Sequence, residues 1–94
     1  MIRIFEKQLQ QIISELNSKD IHIEINGSIN FNFNLYKVIA NYKRENGKII
    51  FKDSVTNEVF TLETETIYNM SQNEDKNVLE FCFDDFVFVY LKIM

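Results

Sequence analysis

The amino-acid sequence predicts an α+β fold: an N-terminal amphipathic helix packed on a largely antiparallel sheet of about six strands, a meander that is bent or barrel-like. Three observations lead there. The first 16 residues carry apolar side chains at helical intervals, and later segments alternate apolar with polar. Two Asn-Gly pairs, at 26–27 and 46–47, sit between alternating segments as hairpin turns do. With 94 residues the chain makes one domain, spanning 1–94, that folds on a single modest core.

The helix is expected over residues 3–17. Ile2, Phe5, Leu9, Ile12, Ile13 and Leu16 form its stripe, and Asn17-Ser18-Lys19-Asp20 ends it. The segment IHIEI (21–25) then alternates isoleucine with His22 and Glu24, and SINFNFNL (28–35) alternates asparagine with apolar residues. A three-residue loop at Ile25-Asn26-Gly27 sets Ile23 opposite Ile29 and Ile21 opposite Phe31. The asparagines then share a solvated face with His22 and Glu24.

Residues 35–44 fit both helix and strand templates, and β-branched and aromatic residues favour strand. The apolar phase shifts between Leu35 and Tyr36, where a bulge or bend belongs. A two-residue turn at Asn46-Gly47 pairs Tyr42 with Phe51 and Val38 with Val55. Residues 47–53 and 58–68 read as the next hairpin, and residues 70–77 as a mobile polar loop without periodicity. The last hairpin joins 78–83 to 86–93 through Asp84-Asp85, placing Leu79, Phe81, Phe83, Phe86, Phe88 and Tyr90 on one face. The other face carries Val78, Cys82, Val87, Val89 and Leu91, so strand 86–93 is either central or makes a homodimer contact through Phe86, Phe88 and Tyr90.

Several chemistries are excluded on residue types. His22 and Cys82 are the only histidine and cysteine, which rules out a zinc cluster and leaves no second histidine to activate the thiol. Asp53-Ser54-Val55-Thr56-Asn57 alternates oxygen ligands but lacks the glycine and terminal glutamate of a calcium loop. The only two glycines follow asparagines, so there is no phosphate-cradling loop. No cofactor, no metal and no enzymatic role are expected. The longest apolar run, 86–91, is far below the ~20 residues of a membrane span, and the single cysteine fits a reducing, cytoplasmic setting.

Charge is the informative global feature. Residues 1–52 hold eight basic and five acidic side chains, a net of +3; residues 53–94 hold two basic and nine acidic, a net of −7. Lys37, Lys43, Arg44, Lys48 and Lys52 with Tyr36 and Tyr42 offer a basic, aromatic stretch. The total of −4 argues against direct nucleic-acid binding. The expected function is a small acidic protein-binding module. Its partner has a basic surface, met by Asp53, Glu58, Glu63, Glu65, Glu74, Asp75, Asp84 and Asp85. Ile, Asn, Lys, Phe and Tyr supply 45 of the residues, a usage of AT-rich genomes. That suggests an inhibitor from a phage or mobile element, of anti-CRISPR type, filling a basic nucleic-acid groove of a host enzyme. The alternative is an oligomeric Sm-like RNA-binding or scaffold protein; a helix before a meander is similar to small Sm-like barrels in topology alone.

Overall fold

In the computed structural model, which describes residues 1–83 and 86–94, one helix and nine strands build an α+β fold around one core. The strands are β1 (Ile2–Arg3), β2 (Ile21–Asn26), β3 (Phe31–Leu35), β4 (Ile39–Lys43), β5 (Lys48–Lys52), β6 (Val59–Glu63), β7 (Ile67–Gln72), β8 (Val78–Phe83) and β9 (Phe88–Ile93); α1 is Glu6–Ser14. All pairings are antiparallel. Six strands form one sheet in the order β1-β7-β8-β9-β2-β3, and β4-β5-β6 form a second. The expected single meander is thus two open sheets, not a closed barrel.

The helix is shorter than the expected 3–17. Ile2 and Arg3 are drawn into a strand beside β7, and the Gln8 side chain accepts the Phe5 N–H at 2.9 Å to start the helix. Leu9, Ile13 and Leu16 are buried, whereas Phe5 lies exposed under the guanidinium of Arg3, which sits 5.3 Å from its ring centroid. At its far end the segment Asn17–Lys19 runs along β4. The Asn17 side chain accepts the Ala40 N–H at 2.8 Å, Ser18 N–H donates to Val38, and Val38 N–H donates to Lys19. The helix thereby covers one edge of the small sheet.

The β2–β3 hairpin pairs Ile21 with Leu35, Ile23 with Phe33 and Ile25 with Phe31, not Ile23 with Ile29 as expected. The tighter loop would leave Phe33 and Leu35 beyond the end of β2. The longer one, in which Asn30 Oδ1 accepts the Gly27 N–H, brings Leu35 into the core opposite Ile21. The slip is even, so Asn32 and Asn34 still lie beside Glu24 and His22 on the outer face.

β4 is a strand, and the chain breaks at residues 36–38 to change sheets, with Lys37 at φ 45°. A turn of 3-10 helix at Arg44–Asn46, closed by left-handed Gly47, replaces the two-residue turn. Tyr42 therefore pairs with Ile49 and Ala40 with Phe51. The segment 58–68 is not one strand: a 3-10 turn at Thr64–Thr66 carries the chain from the small sheet to the large one. Residues 70–72 belong to β7, so the polar loop shrinks to 73–77, where the Asn73 side chain accepts the N–H groups of Asn77 and Val78.

The last hairpin is displaced by one residue from its expected register. Leu79 pairs with Leu91, Phe81 with Val89 and Cys82 with Phe88. Val89 and Leu91 turn inward beside Phe81 and Leu79, and Phe88 and Tyr90 turn outward. Both faces of this strand are apolar, so alternation had no power to choose between them. The position of β9 is central, between β8 and β2. The expected turn residues Asp84 and Asp85 lie outside the described residues.

Candidate protein-binding surface

The outer face of the large sheet starts polar at its β3 side. Lys92 Nζ donates to Glu24 Oε1 at 2.9 Å, His22 lies 3.6 Å from the same oxygen and 2.6 Å from Asn34 Oδ1, and Asn34 donates to the Tyr36 hydroxyl at 3.2 Å. The hydrogen bond from Lys92 holds the Glu24 carboxyl below its ordinary value. Each member of this row is satisfied by its neighbour, which is the behaviour of a solvated sheet face. Among the described residues no three metal-ligating side chains cluster.

Toward β7 and Phe86–Phe88 the same face becomes apolar. A bulge between Ile67 and Asn69 pushes Tyr68 outward, 77% exposed. Phe86 is 83% exposed and sits on a left-handed backbone, φ 63°, a conformation that costs a bulky residue free energy. Tyr68, Cys82, Phe83, Phe86 and Phe88 line one shallow depression. Burial pushes the Cys82 thiol up, and the nearby Glu80 carboxylate adds to this, which opposes a thiolate.

Phe83 also lines a second hollow, on the inner side. There Ile25, Val87 and Val89 of the large sheet face Phe60 and Leu62 of β6, with Thr66 as the one polar side chain. Phe60 meets Phe33 edge to face at 5.4 Å and closes the hollow toward β3. The hydrophobic core therefore opens to solvent along β6. Two apolar surfaces meet at Phe83, beside the turn that carries Glu63 and Glu65.

The expected acidic face is only partly assembled. Glu58, Glu63 and Glu65 are exposed around β6, and the turn at 64–66 does reach the last hairpin, since Thr66 shares a hollow with Phe83 and Val87. Glu74 and Asp75 are exposed at the opposite end of β7, about 20 Å away at 3.3 Å per residue. Asp53 is buried. Its carboxylate accepts N–H groups from Val55 (2.7 Å), Thr56 (2.9 Å) and Tyr36 (2.9 Å), and these backbone donors, Thr56 first, hold its pKa below the ordinary range. It staples the β5–β6 loop to the 36–38 segment that joins the two sheets and is not available to a partner. The same bonds explain why the 53–57 segment is a turn with Asn57 at φ 67°.

The basic stretch is brought together in part, with Lys43, Lys48 and Lys52 on the exposed face of the small sheet. Lys43 faces Lys48 across the small sheet, Arg44 approaches Glu6 at 3.3 Å, and Tyr42 is buried with its hydroxyl donating to Glu6. Tyr42 therefore offers no ring face for stacking a base. Sequence reasoning missed Tyr68 and the hollow along β6. The apolar run at 86–91, read as a strand apolar on both faces, is the advance signal of the exposed patch.

No helix among the described residues is long and apolar enough to cross a membrane. No protein-family model matches this chain, and no curated protein or solved structure is significantly similar to it.

Proposed function

We propose that this chain is a small non-enzymatic protein-binding module whose contact surface is centred on Phe83. The observation that carries the reading is the pair of solvent-exposed rings, Tyr68 and Phe86, lining one apolar depression. Exposed aromatic clusters cost solubility and are the usual anchors of protein interfaces. Phe86 in addition holds a left-handed backbone, φ 63°, that a bulky residue does not favour. The neighbouring exposed acids, Glu63 and Glu65, and the net −7 of residues 53–94 select a partner with a basic surface. The most specific form of this proposal is an inhibitor of anti-CRISPR type that fills a basic nucleic-acid groove of a host enzyme.

Capture from nuclease-treated host lysate tests the reading. Parent protein is compared with a Tyr68→Ser/Phe86→Ser variant and a Glu63→Lys/Glu65→Lys variant, each checked for unchanged melting. A protein retained by the parent and lost by the aromatic variant is expected. With that protein in hand, the on-rate should fall with salt and fall further in the lysine variant. Equal retention by parent and aromatic variant refutes the surface; an on-rate indifferent to salt and to both lysines refutes the basic-groove form.

A further inference from the structure

Strand edges at the ends of the two sheets are treated differently. β1 is two residues long, and β4 is covered by the Asn17–Lys19 segment. β6 is neither short nor covered. Asp53 N–H donates to the Glu58 carbonyl at 2.8 Å, and Thr64 N–H to the Gly47 carbonyl at 2.9 Å. The antiparallel alternation then turns the backbone groups of Phe60 and Leu62 toward β5 and those of Val59, Thr61 and Glu63 away from it. All three are exposed, and β6 contains neither proline nor lysine, the residues that commonly blunt an edge. Alongside this edge runs the hollow lined by Phe60, Leu62, Ile25, Val87 and Val89. The small sheet ends one strand before the apolar surface it should cover.

The charge of this rim selects its occupant. No lysine or arginine occurs from residue 53 to residue 75. Glu58, Glu63 and Glu65 are exposed and make no ion pair among the described residues; the one basic side chain facing them from β5 is Lys48, opposite Glu63. The edge of β3 borders no such rim, since residues 25–35 carry no charge at all.

We propose that β6 is the docking edge for a fourth strand of the small sheet, supplied by an extended partner segment that alternates apolar with basic side chains. The proposal rests on the protein-binding reading and specifies its mode. Apolar side chains of the incoming strand enter the hollow against Phe60 and Val87. Its basic side chains lie on the outer face beside Glu63, while its backbone pairs with Val59, Thr61 and the Glu63 N–H, the Glu63 carbonyl being held by the Thr66 hydroxyl.

The probe is a labelled peptide of about ten residues alternating valine and lysine, titrated by fluorescence anisotropy. Thr61→Pro removes an outward N–H, a substitution that edge strands tolerate. Saturable binding is expected, weaker by about tenfold or more with Thr61→Pro and with a peptide N-methylated at alternate residues. A valine–aspartate peptide should not bind. Absence of saturable binding overturns the proposal, as does binding that survives both the proline and N-methylation. Should Thr61→Pro fail to fold, the N-methylated peptide on the parent protein decides alone. A lysate partner lost by the Tyr68/Phe86 variant but held by a folded Thr61→Pro protein overturns strand addition and leaves the protein-binding reading standing.

Discussion

Replacing Phe51 by alanine tests the packing scheme where it is tightest. Phe51 is fully buried on β5, paired across the sheet with Ala40 on one side and Phe60 on the other, with the Phe60 ring 6.4 Å away. Ala40 is too small to fill the space, so the cavity persists. Phenylalanine-to-alanine changes at such sites cost about 3–5 kcal/mol. A domain of this size holds about 5–14 kcal/mol in total, so the variant retains at best a fraction of its stability. At about 4–8 °C per kcal/mol, melting should fall by about 12–40 °C. Phe86→Ala removes the same atoms from a position 83% exposed and should stay within about 0.5 kcal/mol of the parent. Urea unfolding of both variants gives the comparison, with similar slopes required for the midpoints to be read as stability. A loss below about 1 kcal/mol at Phe51, or equal losses at the two positions, would refute the assignment of inner and outer faces.

Asn17→Ala should cost about 1–3 kcal/mol in urea unfolding, because it strands the Ala40 N–H at the covered edge of β4; an unchanged midpoint would mean that the helix end does not hold that edge. Phe86→Gly should raise stability by about 1 kcal/mol by relieving the left-handed backbone while weakening partner capture; a lowered midpoint would show that the ring supports the fold. Asp53 has its folded pKa depressed, so its contribution is present above the unfolded value of about 4 and is lost as pH falls through the folded value. Asp53→Asn should therefore flatten the acid limb of the stability–pH profile, and an unaltered limb would show that the carboxylate is not stapling the loop. Chelator should leave the melting curve in place, since no metal-ligating cluster occurs among the described residues; a clear drop in midpoint would reveal a metal site.

The faces of the early elements were legible in the sequence. Leu9, Ile13 and Leu16 repeat at helical spacing, and IHIEI with FNFNL alternates so cleanly that His22, Glu24, Asn32 and Asn34 had one side available to them. The break after Leu35 announced itself as a phase shift, and it is where the chain changes sheets. Registers were decided only in three dimensions. Alternation is a local property that any even slip preserves, and the depth of the core selected Ile21 opposite Leu35 over the shorter loop. In β9, apolar on both faces, even parity carried no information, and the fit of Val89 and Leu91 beside Phe81 chose the side. The acids follow the same logic. Two of the donors to Asp53, Val55 and Thr56, are near it in sequence, but the third, the Tyr36 N–H, reaches it from the segment that changes sheets, which no local pattern announces. Glu65 and Asp75 were near in sequence and separated by the length of β7. The apolar hollow along β6 exists only because the second sheet stops at three strands, a fact that belongs to the packing and to no residue's type.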